Sequence, residues 1–285
     1  MKIKERKPFI ALLLSLLTPG LGQLYNGQFA KALIFFFAIL FLLFPCAFFE
    51  LRRSFTGFLV FFPIGLIVFA VYIVNIIDAF RRARKWPRIN LKPYNKWFIY
   101  IGILIIFNFF ISPPMLSAMR AGTKTYKMPS GSMKPTIKLG DHFIVDMMFY
   151  KKQKPGYGEL IIFKYPKDRS KDFIKRVIAI EGDKIEINND ELYLNDKKLD
   201  LKFIDKHRYQ EYLGGINYQI LMEYNRNEIF GPVIVPNNSI FVLGDNRNNS
   251  MDSRHFGIVD INDVMGKVLY IYWAKDKSRI GTVPN

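Results

Sequence analysis

The chain has 285 residues, half of them apolar, and its 41 Lys and Arg against 24 Asp and Glu give a formal charge of +17. That length accommodates one ordinary domain plus extra elements. Residues 1–113 hold 14 of the cations and only three acids (Glu5, Glu50 and Asp78), so +11 of the charge lies between apolar runs. A nucleic-acid binder gathers its charge on a folded polar face; here the pattern is one of membrane orientation, and no nucleic-acid partner is expected. A single cysteine, Cys46, excludes an intrachain disulfide.

In chain order, Met1–Leu24 begins like a signal peptide, with basic residues before an apolar core. No small-x-small site follows and another apolar run starts at once, so it is expected to stay on the protein. Its apolar stretch Pro8–Leu17 stops at the helix breakers Thr18-Pro19-Gly20 and reads as a re-entrant or interfacial segment. Spanning helices are expected at about 30–49, 57–77 and 97–112, the last slightly short for the ~20 residues a bilayer needs. The loop 81–96 carries seven cations and no acid, which places it in the cytoplasm. The helix from Trp97 then delivers the remainder to the opposite face. Lys2, Lys4, Arg6 and Lys7 are also expected inside, which requires that Pro8–Leu17 does not cross.

Residues 9–85, through Pro19-Gly20-Leu21-Gly22-Gln23-Leu24-Tyr25-Asn26-Gly27 and Asn75-Ile76-Ile77-Asp78, resemble a small two-helix bacterial membrane domain. Pro19-Gly20-Leu21-Gly22 has neither the preceding strand nor the third glycine of a dinucleotide loop, and its glycines are expected to permit close helix packing.

Beyond Pro113 the pattern changes to short runs rich in β-branched and aromatic residues, bounded by Gly, Pro, Asp and Asn. Phe143–Phe149, Leu160–Tyr165, Phe173–Ile180, Lys184–Ile187, Glu191–Leu194, Ser239–Leu243 and Val264–Trp273 read as strands of an all-β or β-rich domain. Asn188-Asn189-Asp190 and Asn195-Asp196 predict consecutive hairpins. The more polar 197–230 stretch reads as an insertion. The domain plan is therefore a membrane domain over 1–96, an anchoring helix over 97–112 and an external catalytic β-domain over 113–285.

Within Met128-Pro129-Ser130-Gly131-Ser132-Met133-Lys134-Pro135-Thr136, prolines bracket two serines and a glycine, and a turn of that kind can hold a hydroxyl out as a nucleophile. On its own it is also an ordinary loop. A serine nucleophile needs a base, and His142, His207 and His255 lack any local triad signature. The alternative base is a neutral lysine. At a reference pKa near 10.4 about one lysine in 2,500 is neutral at pH 7, and bringing the value to ~7 takes roughly 4.6 kcal/mol, within reach of burial. Phe173–Ile180 offers Lys175, which strict alternation puts on the face of Phe173, Val177 and Ala179. An exposed edge-strand lysine fits the same residues.

Met128–Thr136, Gly140-Asp141, Lys175-Arg176, Gly182-Asp183 and the run Gly244-Asp245-Asn246-Arg247-Asn248-Asn249-Ser250-Met251-Asp252-Ser253-Arg254 together resemble the boxes of type I signal peptidases, over about 111–281. That resemblance implies a β-fold of two antiparallel sheets in a bacterial cytoplasmic membrane protein whose catalytic domain is periplasmic. Its substrates would be exported preproteins, cut after Ala-x-Ala-like sites. It implies Ser132 as nucleophile, Lys175 as general base and Ser130 as oxyanion donor beside the Ser132 N–H. Ser250 would orient the lysine, and Asp252 and Arg254 would form a supporting pair. Asn248 stands where the family usually has an acid.

An extended peptide is expected to add to a sheet edge at Thr125–Met128 and Asp172–Ile174, so Met128, Pro129, Ile144, Asp172, Phe173 and Ile174 are the expected substrate contacts. Val177 could join the pocket lining or lie in the core, and Tyr270, Tyr272 and Trp273 could reach the bilayer interface. No cofactor or metal is expected: Arg247 sits where a calcium loop needs a ligand. Two other readings stay open, a self-cleaving Ser/Lys protease like the SOS-response repressors and a membrane scaffold that binds peptides with a vestigial site.

Overall fold

The computed structural model describes residues 3–48, 54–111, 113, 122–225 and 227–284. It separates into two compact units, Met1–Ala121 and Gly122–Asn285.

In the first unit, helix α1 (Pro8–Leu17) opens with proline, whose fixed φ suits a first helical position, and ends at Thr18. Gly20, at φ 82°, turns the chain into the short α2 (Leu21–Tyr25). Close approach demands glycine here. A Cβ on Gly20 would lie 2.2 Å from the Ala32 carbonyl, and one on Gly22 2.1 Å from Ser15 Oγ. Helices α3 (Phe29–Phe48) and α4 (Phe55–Lys85) follow, the latter capped by Ser54 Oγ, which accepts from the Gly57 N–H.

Among the described residues α4 is the one helix long and apolar enough to cross a membrane. Leu59, Phe62, Leu66 and Phe69 on it are exposed, and a helix that shows such residues outward calls for an apolar surrounding. It runs eight residues past the expected end at 77, so Arg81–Lys85 are helical rather than loop. Helix α5 (Trp97–Ile105) continues as a π-helical turn to Ile111. The expected span ends at residues 49 and 112 lie outside the described residues.

Side-chain amides bind α1 and α2 to α4. Asn75 Oδ1 accepts from the Gly20 N–H at 3.0 Å, Gln23 Nε2 donates to the Asn75 carbonyl at 2.7 Å and Asn26 Nδ2 to the Ala79 carbonyl at 2.8 Å. Buried amides left unpaired in an apolar bundle would be costly, so these contacts fix one arrangement of the three helices. Strand β1 (Ile3–Glu5) pairs antiparallel with β2 (Arg88–Asn90). Asn95 Nδ2 donates to the Leu24 carbonyl at 2.8 Å and Tyr94 Oη to the Gly27 carbonyl at 2.9 Å. Entry to α1 and exit from α2 are therefore both attached to the 88–95 segment.

The second unit is β-rich. Its main sheet has seven strands, β3 (Thr123–Lys127), β4 (His142–Asp146), β5 (Leu160–Tyr165), β6 (Asp168–Ile180), β14 (Ser239–Leu243), β15 (Val259–Asp260) and β16 (Val264–Trp273), in the order β15-β14-β6-β5-β16-β4-β3. A four-stranded sheet orders β13 (Ile229–Ile234), β7 (Lys184–Asn188), β8 (Glu191–Leu194) and β9 (Lys197–Lys198). The hairpins between β7, β8 and β9 turn at Asn189-Asp190 and Asn195-Asp196, all four at φ between 51° and 67°. Asn and Asp tolerate that left-handed region, which suits two-residue hairpin turns.

Within the 197–230 stretch, expected as an insertion, β10 (Leu201–Asp205), β11 (Arg208–Leu213) and β12 (Ile216–Leu221) form an antiparallel sheet of their own. Tyr218 and Ile220 from it bury against Ile178, Ala179 and Phe241. The expected strict alternation along β6 is corrected. Val242 pairs with Val177 but Phe241 with Ala179, leaving Ile178 as an extra residue. Past this bulge, Ala179 enters a different core cluster from Phe173 and Val177.

Candidate active site

The Ser/Gly/Pro loop leaves the edge strand β3 and is held at both ends. Met128 exchanges backbone hydrogen bonds with Asp141 and Gly140, while Met128, Met133 and Ile137 sink fully into the core. Between these anchors the Asn246 side chain donates to the Gly131 carbonyl at 3.1 Å and its backbone N–H to the Ser132 carbonyl at 3.1 Å. Gly131 itself has no left-handed φ, and a Cβ there would meet only the Lys134 side chain at 3.4 Å. Conformational freedom is thus not what this position requires.

On that loop Ser132 Oγ lies 3.1 Å from Lys175 Nζ and 3.1 Å from Ser130 Oγ. Lys175 is delivered from the middle of β6, opposite Ile161 of β5, and is 3% exposed. Its ammonium also donates to the Ile174 carbonyl at 2.8 Å. Burial pushes the amine down to about 8, while the carboxylates of Asp252 and Asp245 hold it from falling further. A hydroxyl against a buried amine with a lowered pKa is the arrangement of a nucleophile and its base.

Behind the pair lies the Gly244–Arg254 run. Asp252, fully buried, accepts from the Gly244 N–H at 3.0 Å and takes two hydrogen bonds from Arg254 at 2.8 Å each. It also caps the short helix α6 (Ser253–Phe256). Although burial opposes it, the Arg254 guanidinium keeps the Asp252 carboxyl below its usual range. Arg254 further bonds Glu228 and the Arg247 carbonyl. Ser250 Oγ is buried against Gly244, where a Cβ would come within 2.1 Å of it. Ser250 Oγ has no hydrogen-bond partner among the described residues, so it makes no bond to Lys175, whose Nζ bonds Ser132 Oγ and the Ile174 carbonyl. Asn248, standing in place of an acid, accepts from the Glu223 N–H at 2.6 Å and donates to the Tyr224 carbonyl at 2.8 Å. It serves as a neutral backbone clamp, a role an amide fills better than a carboxylate because it also donates.

The serine and lysine open into a cleft of about 330 Å³ walled by Met128, Pro129, Ser130, Asp172, Phe173 and Ile174. Tyr126 Oη of β3 donates to Asp172 Oδ2 of β6 at 3.3 Å, so the two strands approach each other at this point. Strand β14 pairs with β6 only from Arg176 onward, leaving the Asp172–Lys175 backbone free of a β14 partner. Ile144 is a correction: it is buried in β4 between Thr125 and Tyr270 and takes no part in the cleft wall. Val177 and Tyr270 are likewise core residues, whereas Trp273 is half exposed.

Several participants were not singled out from the sequence. Asn249 and Met251 line the cleft, and their place in the Gly244–Arg254 run was the available signal. Arg176 forms a buried bidentate pair with Asp245 at 2.8 and 2.7 Å, and Thr136 Oγ1 donates to the same carboxylate. Arg247 pairs with Glu211 of β11, which also accepts from Tyr218 Oη. No cluster of metal-ligating side chains occurs among the described residues.

A β-rich domain that sets a loop serine against a buried lysine belongs to the class of serine hydrolases. More narrowly, the chain belongs to the family described as signal peptidase, peptidase S26, whose sequence model matches residues 95–273. Signal peptidase I of Bacillus caldolyticus is 33% identical over 193 residues, which is 68% of this chain and 92% of that protein. Signal peptidase IB of Staphylococcus aureus is 32% identical over 181 residues, 62% of this chain and 88% of that one. A crystal structure of a signal peptidase I from Enterococcus faecalis aligns at 27% identity, covering 40% of this chain and 97% of that one, with a TM-score of 0.28.

Proposed function

We propose that this chain is a membrane-bound endopeptidase that removes signal peptides from exported preproteins after small-x-small sites, with Ser132 as nucleophile and Lys175 as general base. The observation that carries the reading is the 3.1 Å contact between Ser132 Oγ and an Nζ that is buried and whose pKa is lowered to about 8. Neutral Lys175 takes the hydroxyl proton as Ser132 Oγ attacks the scissile carbonyl. The resulting oxyanion is met by the Ser132 N–H and the Ser130 hydroxyl, a kind of donor worth about 3 kcal/mol in the transition state. The lysine ammonium then protonates the departing amine, leaving an acyl-enzyme on Ser132. Water, deprotonated by the same amine, releases the acid and restores the serine.

The substrate is taken as an extended strand between β3 and the Asp172–Ile174 backbone, whose unpaired groups are ready for strand addition. Asp252 and Arg254 act on the scaffold and not on the substrate. Ser250, pressed against Gly244 behind the Ser132 carbonyl, supports the nucleophile loop. The chain resides in the bacterial cytoplasmic membrane as a multi-pass protein. Residues 1–96 form a membrane domain with 86–96 on the cytoplasmic side, and the helix from Trp97 carries the 113–285 catalytic domain to the external face. The attachment of both ends of the α1–α2 hairpin to 88–95 supports a hairpin that enters and leaves by one side.

The test is cleavage of a preprotein by the detergent-solubilised full chain. Wild type should cut after a small-x-small site, and Ser132→Ala and Lys175→Ala should each lose at least about a thousandfold in rate. Full activity of Lys175→Ala would overturn the base assignment, and an inactive wild type the reading itself.

A further inference from the structure

Helix α4 ends in a run of cations that the protease chemistry leaves unused. Arg82, Arg84 and Lys85 occupy its last turn, where the helix dipole favours positive charge. The dipole does not account for the cavity of about 560 Å³ beside them, which Arg81, Arg82, Lys85 and Trp86 share with Gln28. That volume falls within the range of ligand pockets, ~300–1,000 Å³.

The charges of this cavity are unbalanced. Asp78 is its one acid, and it is engaged by Lys31 at 2.8 Å and by Gln23 Nε2 at 3.3 Å. Arg81, Arg82 and Lys85 make no ion pair among the described residues. The Arg82 guanidinium instead stacks on Trp86 at 3.9 Å, and Lys85 Nζ stands 4.6 Å from the same ring. Two polar groups in the wall, Arg82 Nε and Gln28 Oε1, are buried without a protein partner. Two guanidinium groups and an ammonium on one hollow are a donor set suited to a phosphate diester.

Apolar residues place the occupant in a bilayer. Val74 and Ile77 complete the wall, and both lie on α4, the helix of membrane-spanning length. Trp86 is 46% exposed at the end of that helix, the position of an interfacial aromatic anchor. We infer that this cavity binds the headgroup of an anionic phospholipid, its phosphate held by Arg81, Arg82 and Lys85 and its acyl chains lying along α4. With the orientation proposed above the cavity faces the cytoplasmic leaflet, where anionic lipids attract basic segments. The inference goes beyond proteolysis, since no residue of the cavity belongs to the catalytic unit.

The experiment is native mass spectrometry of the full chain in detergent, titrated with phosphatidylglycerol or phosphatidylcholine. Arg81→Gln/Lys85→Gln removes two exposed cations of the cavity; Lys92→Gln/Lys96→Gln removes equal charge from the neighbouring loop. Thermal unfolding of each variant checks that it is folded. We expect one tightly held phosphatidylglycerol on wild type and on the loop variant, at least about tenfold weaker retention by the cavity variant, and no selective retention of phosphatidylcholine. Equal loss in both variants would reduce the effect to general surface charge and overturn the site. So would unchanged binding by the cavity variant. Displacement of phosphatidylglycerol by inorganic phosphate at comparable concentration would make the ligand a soluble phosphate and overturn the lipid assignment.

Discussion

In the proposed mechanism one buried amine, Lys175, couples catalysis to stability. With its pKa lowered to about 8, about one molecule in ten carries a neutral base at pH 7, against roughly one in 2,500 for a free lysine. Burial alone would lower it further; the Asp252 and Asp245 carboxylates oppose that fall. The rate constant kcat/KM for preprotein cleavage should therefore rise nearly tenfold per pH unit below about 8 and level off above it; a profile flat from pH 6 to 9 would remove Lys175 as the base. The same shift carries a stability sign. A folded pKa below the unfolded 10.5 means that the fold disfavours the ammonium, by about 3 kcal/mol. That penalty is complete below about pH 8 and fades as pH rises toward 10.5. Lys175→Met should be inactive yet melt roughly 5–10 °C above wild type at pH 7, with the gap closing between pH 8 and 10.5. Asn246 works on the other partner, because its side chain holds the Gly131 carbonyl next to Ser132, the proposed nucleophile. Losing one hydrogen bond of about 1–1.5 kcal/mol, Asn246→Ala should lower kcat about tenfold and leave KM nearly unchanged.

Strand β6 places the lysine, and the next residue along it locks the strand to the rest of the site. Arg176 and Asp245 are each 1% exposed and bond through two oxygens, with Gly158 and Thr136 taking the remaining polar atoms. Removing one partner of such a pair strands the other charge, at about 3–5 kcal/mol. Asp245→Asn should thus lower the melting temperature of the catalytic unit by roughly 6–15 °C, whereas Arg176→Met/Asp245→Leu should recover a large part of the loss; near-additive losses in the double variant would refute the pairing account. This network shows which elements a sequence discloses. Leu160–Tyr165, Ser239–Leu243 and Val264–Trp273 were legible as strands because β-branched and aromatic runs end at turn residues. Strand β10 was not, since its residues are exposed or nearly so on both faces and carry no alternation. The bulge at Ile178 was hidden for another reason: register belongs to the pairing with β14, not to β6 alone. Ser132 and Lys175 were visible as residue types, but their contact spans 43 positions, and only the resemblance to a family joined them. Glu211 with Arg247, 36 positions apart, had no such guide.

For the molecule as a whole, charge and packing support the topology proposed above. The cations of 1–7 and of 81–96 favour the cytoplasmic side, and with α3 and α4 both crossing, as proposed, that preference is met only if the α1–α2 hairpin does not cross. Its dimensions agree. Ten residues of helix rise about 15 Å, half of a ~30 Å hydrocarbon core, before the left-handed turn at Gly20 reverses the chain. The return path is held by polar contacts: Gln23 and Asn26 donate to α4, Gln23 also accepts from Ser15 of α1 at 3.5 Å, and the Gly27 carbonyl accepts from Tyr94. Were α1 to cross the bilayer, β1 and the start of α3 would lie on opposite sides, and the 88–95 segment could not hold both. Reporter fusions after Lys7 and after Gln28 should accordingly both report the cytoplasm, and a fusion after Ser170 the external face. Opposite results at Lys7 and Gln28 would make α1 a crossing helix, reverse the order of every later crossing relative to the N-terminus, and leave the short pairing of Ile3–Glu5 with Arg88–Asn90 unable to form in the membrane.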